Sequence, residues 1–216
     1  MNRVTKARGI ELGLLLLLAA VLAFCTSLEK QQQGISARLI RLHVVANSDS
    51  QQDQDIKGQV RDTVLREAEM ILEPAMDRDD AKALLREHLD TLEAAANETL
   101  QSLGSEDRAA VTLERELFGT REYDGFSLPG GYYDALRVNI GSGDGKNWWC
   151  VVYPQICSAA VSEQHTVAVM GGLSEEQVAV LEGDTPEYRF KFKLLELLED
   201  LLGWFRAPEE GIPVSG

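Results

Sequence analysis

Cysteine is scarce, with three in 216 residues, so at most one disulfide can form within the chain. Histidine is equally rare: His43, His88 and His165 lie far apart, and none sits at a zinc-ligand spacing. Basic residues are outnumbered, 21 Lys and Arg against 35 Asp and Glu, for a net charge of −14. So acidic a surface repels phosphate backbones and argues against a nucleic-acid partner. There is no Gly-x-Ser-x-Gly elbow for a serine nucleophile. No apolar run reaches the roughly 20 residues of an ordinary membrane-spanning helix.

The longest apolar run, Leu12 to Phe24, follows a basic start at Arg3, Lys6 and Arg8. Its length suits the core of a signal peptide. Cys25, Thr26 and Ser27 supply small residues for cleavage after Ser27; an uncleaved anchor is the competing reading. A lipoprotein signal fits poorly, because Phe24 stands where a small residue belongs. Removing residues 1–27 takes away three basic groups and Glu11 and moves the net charge from −14 to −16. Residues 28–36 read as a polar linker, 37–206 as one exported domain, and 207–216 as a loose tail. Hydrophobic residues at 44% suffice for a packed core. Export permits a disulfide between Cys150 and Cys157; two buried free thiols are the alternative.

Residues 38–46 alternate, with Ile40, Leu42, Val44 and Ala46 on one face and Arg41 and His43 on the other, which predicts a strand with one buried side. Asn47-Ser48-Asp49-Ser50 then offers helix-capping side chains. The stripe Ile56, Val60, Val64, Ala68 and Ile71 predicts a helix ended by Glu73-Pro74. A second helix is expected from about Asp79 to Leu103, with Ala81, Leu85, Leu89, Leu92, Ala96 and Leu100 inward and Gly104 as its C-cap. Period two returns at Val111, Leu113 and Leu117 and again at Leu136, Val138 and Ile140, which predicts an antiparallel strand pair. Ser174-Glu175-Glu176-Gln177 is a capping-box signature. Residues 188–205 change from strand-like to helical spacing; Leu194, Leu197, Leu198, Leu201 and Trp204 form a stripe better suited to packing on the domain than to docking a partner. The expected class is α+β: a small sheet, antiparallel in part, with helices packed on one face.

Several tempting motifs fail. The loop Gly141-Ser142-Gly143-Asp144-Gly145 lacks the residues of a P-loop or of a dinucleotide fingerprint, because Ile140, Lys146 and Asn147 stand at the deciding positions. Asp53, Asp55 and Gly58 imitate a calcium loop, but Lys57 and Val64 occupy ligand positions. His88 reads as a histidine at the edge of a core. No complete catalytic, cofactor or metal set remains. Trp148-Trp149 is different. Adjacent side chains of an extended segment point to opposite faces, so both cannot enter one core; the pattern suits one tryptophan inside and one exposed, and an interface anchor and ordinary packing are both open readings.

Some stretches resemble a known family. Arg41-Leu42-His43-Val44-Val45-Ala46-Asn47-Ser48-Asp49-Ser50, with Asp53-Gln54-Asp55-Ile56-Lys57 and Val60-Arg61-Asp62, is similar to the N-terminal signature of stage II sporulation protein R. So are Leu128-Pro129-Gly130-Gly131-Tyr132-Tyr133, Ala135-Leu136-Arg137-Val138 and Asn147 through Cys157, and more loosely Phe190 through Glu196. Gln155 departs from the pattern, where a second proline is expected after Pro154. The resemblance implies a non-enzymatic signalling protein, exported from the forespore into the space between forespore and mother cell. There it activates a membrane-embedded aspartic protease of the mother cell, which processes the sigma-E precursor. The candidate partner-binding set is Trp148, Trp149, Gly141, Gly143, Asp144, Gly145, Asn47 and Asp49. A secreted cell-wall hydrolase using Asp49 and Asp144, or a structural protein of the intermembrane space, are the alternatives.

Overall fold

Hydrophobic alternation and helical stripes resolve into eleven described elements. The computed structural model describes residues 33–123, 125–156 and 164–182, and scattered helical positions between 12 and 26. In chain order these are β1 (Ile40–Val45), α1 (Gln51–Leu72), α2 (Arg78–Glu87), α3 (Leu89–Ser102), β2 (Ala109–Phe118), β3 (Arg121–Tyr123), β4 (Phe126–Leu128), β5 (Gly131–Ile140), β6 (Asn147–Tyr153), α4 (Gln164–Met170) and α5 (Glu175–Leu181). The fold is α+β. Four strands form one sheet in the order β2-β5-β1-β6, and β3 and β4 pair separately. β2 and β5 are antiparallel, as their period predicts, with Val111 opposite Val138. β1 runs parallel to β5 and antiparallel to β6.

The three long helices cover one face of this sheet. Ile56, Val60, Val64 and Ala68 of α1 meet Leu42 and Val44 of β1, Val138 of β5 and Val152 of β6 in a continuous core. Ser50 caps α1, its hydroxyl accepting the Asp53 N–H at 3.1 Å. The helix expected over 79–103 is two helices, broken at His88. α3 lies along both α1 and β2, and α2 also touches α1. Arg78 and Lys82 of α2 both reach the Asp134 carboxylate on β5. α3 ends as its glycine predicts: Gly104 is left-handed at φ 71°, and Ser105 N–H bonds back to Leu100 O.

β1 departs from expectation. All six of its residues are buried, Arg41 and His43 included. The strand is central in the sheet, and a second core lies on its other face. There Phe118, Tyr133 and Val151 pack with Ile35, Leu39, Phe126 and Leu128, and with Val178, Val180 and Leu181 of α5. Ser174 forms the predicted capping box of α5. The β3–β4 hairpin and α4 carry no clear period, and the sequence reading passes over both. Cleavage after Ser27, residues 157–163 with Cys157, the C-terminal stripe and the tail lie outside the described residues.

Candidate functional site

The capping cluster after β1 and the glycine loop before β6 close on each other at one end of the sheet. Asn47 is the link. Its Oδ1 accepts the Ser142 N–H at 2.9 Å, and its backbone carbonyl accepts the Asp144 N–H at 3.2 Å. Asp49 Oδ1 accepts the Lys146 N–H at 2.7 Å. Three glycines are required here; Gly143 has φ 69°, and a Cβ on it would strike the Asn139 side chain. Gly141 has φ 58°, and a Cβ on it would strike the Asn47 side chain; a Cβ on Gly145 would strike the Ser48 carbonyl. Asp53 is held by the Ser48 hydroxyl and more loosely by Asn47 Nδ2. Those bonds, Ser48 first, keep its carboxyl below the ordinary range. Lys57 is buried beneath the loop and donates to Gln54 Oε1 at 2.6 Å and to the Lys146 carbonyl at 2.9 Å. Burial, reinforced by Arg61, lowers its pKa.

The loop delivers the chain into β6, where the tryptophans diverge. Both are half-buried, which corrects the expectation of one inside and one outside. Trp148 packs against the helix-side core, with the Arg61 guanidinium 4.7 Å from its ring centre. Trp149 packs against the second core, stacked on His43 at 5.7 Å, with Arg121 at 3.8 Å. Each face of the sheet carries its own core, so each ring finds a surface to lie on.

Behind Trp149 sits a polar chain that the sequence reading misses. His43 bonds Glu116 Oε2 through Nδ1 and Asn147 Oδ1 through Nε2, both at 2.8 Å. Glu116 also accepts from Arg137 at 3.0 Å. Burial alone would raise the Glu116 pKa; the bonds from His43 and Arg137 outweigh it and lower it. The one available signal was the placement of Arg41 and His43 at alternate positions of an apolar strand, which also suits a solvent face.

Thus Asn47, Asp49, Gly141, Gly143, Asp144 and Gly145 form one junction, with Trp148 and Trp149 flanking it on opposite faces of the sheet. The junction has the makings of a contact surface. Ser142, Asp144, Lys146 and Asn147 are exposed over a backbone that is tightly held. The Asp49 carboxylate is committed to a backbone N–H, and no hydrogen bond joins it to Asp144 among the described residues. Among the described residues no group of three or more His, Cys, Asp or Glu side chains could hold a metal. His88 lies at the α2–α3 break rather than on a core-facing stripe. Cys150 is buried and its sulfur is engaged, while Cys157 lies outside the described residues.

A profile of the family described as stage II sporulation protein R (spore_II_R) matches residues 36–163, a stretch that contains every residue of this junction. The chain belongs to the stage II sporulation protein R family. Stage II sporulation protein R of Bacillus subtilis (strain 168) is 36% identical over 129 residues, covering 60% of this chain and 58% of that protein. The alignment therefore spans less than two thirds of that relative's length. No solved structure matches. The family places this fold among sporulation proteins, and the junction between Asn47 and Trp149 lies inside its defining region.

Proposed function

We propose that this protein is an exported sporulation signal. In this reading it acts in the space between forespore and mother cell and activates a membrane-embedded aspartic protease, which then processes the sigma-E precursor. It works by recognition rather than by catalysis. The observation that carries the reading is the convergence, within the family-matched stretch, of the loop Gly141–Gly145, the segment Asn47–Asp49 and both tryptophans. A rigid backbone presenting exposed polar tips beside half-buried aromatics is the composition of a protein-binding surface. Export is supported by Leu12, Leu15 and Leu16, apolar helical residues each more than 60% exposed on this chain. Export also supports pairing of Cys150 with Cys157, since the only other cysteine lies in the targeting segment.

The test is co-expression of the full chain with the protease and its precursor substrate. Asp144→Lys and Lys146→Glu change exposed loop side chains that make no hydrogen bond of their own among the described residues, and neither touches a core. Each is expected to reduce precursor processing at least fivefold with the melting temperature unchanged. Full processing by both variants would remove this surface from the proposal. Mass spectrometry of the exported protein without reductant decides the cysteine pairing; two alkylated thiols would exclude it.

A further inference from the structure

β2 leaves part of its outer edge open. It is the first strand of the sheet and pairs with β5 on one side only. The Ala109 and Val111 backbones point away from β5, where Asn97 and Glu93 of α3 bond them. Backbone groups alternate along an antiparallel strand, so those of Leu113, Arg115 and Leu117 point the same way. Among the described residues no strand or side chain bonds these. Leu113 to Leu117 therefore form an edge able to take one more strand.

The face beside this edge carries exposed apolar and basic groups. Leu117 and Tyr132 are cross-strand partners, 68% and 55% exposed. One step inward Arg115 stands opposite Asp134, with its guanidinium carbon 5.7 Å from the Tyr132 ring centre. Lys82 of α2 reaches Asp134 at 2.8 Å, and Arg78 reaches the same carboxylate. Arg86 follows one turn along α2. Arg86 and Arg115 are exposed and form no ion pair among the described residues. Burial first, then Arg78 and Arg86, with Arg115 adding to them against Asp79, lowers the Lys82 pKa, so these cations crowd one another. Four basic side chains thus gather around Asp134 in a chain whose net charge is −14. Such a patch favours an anionic partner.

A second copy of this chain fits poorly. Two β2 edges related by a two-fold centred on Arg115 would set Arg115 against its own copy and Glu114 against Glu116. A two-fold centred on Glu114 or on Glu116 would set that glutamate against itself. A lipid surface would satisfy the cations but not the line of backbone groups.

We propose that the outer edge of β2, from Leu113 to Leu117, takes an extended acidic segment of a partner protein as an added strand. The segment's backbone bonds those of Leu113, Arg115 and Leu117. Its acidic side chain faces Arg115 and Lys82, and apolar side chains two residues to either side lie over Leu113 and Leu117. The segment thus reads apolar-x-acidic-x-apolar. This surface lies at the opposite end of β2 and β5 from the Gly141 loop and stands independently of the signalling reading.

The probe is the end-blocked peptide Ser-Thr-Val-Thr-Glu-Thr-Val-Thr-Ser, titrated into the full chain and followed by amide NMR. Saturable shifts are expected at the Leu113, Arg115 and Leu117 amides, with a Kd of about 1 mM or tighter. Replacing the peptide's glutamate by lysine is expected to weaken binding about tenfold. Arg115→Glu is expected to reverse that preference with the fold unchanged, since the side chain is exposed. No binding, equal binding of the two peptides, a preference unchanged by Arg115→Glu, or shifts confined to Gly141–Gly145 would each overturn the proposal. So would Arg115-dependent sedimentation with phosphatidylglycerol vesicles in place of peptide binding, which would make the face a membrane contact.

Discussion

Asn47 holds the junction together with both its side chain and its backbone carbonyl. Asn47→Ala removes the acceptor for Ser142 N–H and leaves the loop tethered only through carbonyls and Asp49. A loss of about 1–2 kcal/mol is expected in denaturant unfolding. Processing of the precursor is expected to fall further than that destabilisation explains, since the loop's shape goes with it. Glu116 gives a prediction of opposite use. Its folded pKa is depressed below the ordinary 4.5. Its stabilising effect is therefore complete above that value and is lost as pH falls through the lower, folded value. Glu116→Gln is expected to flatten this acid limb of the stability curve, measured as Tm against pH, and an unchanged limb would show that other carboxylates set it.

Elements in this fold are secured at their edges by single side chains. β2 is an edge strand, and α3 covers the first part of its exposed backbone: Asn97 donates to the Ala109 carbonyl at 2.9 Å and accepts its N–H at 3.0 Å, and Glu93 accepts the Val111 N–H at 3.0 Å. The device ties helix to strand and blunts an edge that would otherwise template pairing. Asn97→Ala strands two backbone groups of a buried residue, and about 2 kcal/mol of destabilisation is expected as a lower urea midpoint with an unchanged slope. On the second face, His165 of α4 reaches Glu182 at 2.9 Å and Glu175 at 3.2 Å. Glu182 first, then Glu175, raises its pKa above 6.5. Its contribution is fully present below 6.5 and is lost as pH rises through the higher, folded value. Amide exchange in α4 and α5 is expected to quicken over that window in the natural chain but not in His165→Ala.

At the scale of the molecule, one sheet carries two cores, and the signalling reading needs the whole chain exported. Deleting residues 1–27 is expected to leave a folded domain that no longer stimulates processing across a membrane; undiminished signalling by that truncation would refute export. Much of this architecture is legible in the residues alone. The periods of α1 and β2 are strong because each has one face toward water, and β5 alternates where half-buried Arg137 and Asn139 stand between Leu136, Val138 and Ile140; the loop glycines and capping serines mark the junction's two strands of chain. The α+β class and the antiparallel β2–β5 pair follow from the order of those periods. The rest depends on what lies across from what. β1 reads as half-exposed because Arg41 and His43 look like solvent residues, and only the second layer of hairpin and short helices buries them. β6 has no period because both of its faces are covered, so Trp148 and Trp149 each find a core. The break at His88 is unmarked in the sequence, because the apolar stripe runs through it from Leu85 to Leu89 and Leu92. Local pattern records how one element meets water; the pairing of distant loops through Asn47, and the enclosure of the Arg41 charge between the Phe118 and Tyr133 rings, arise only when separate elements are brought together.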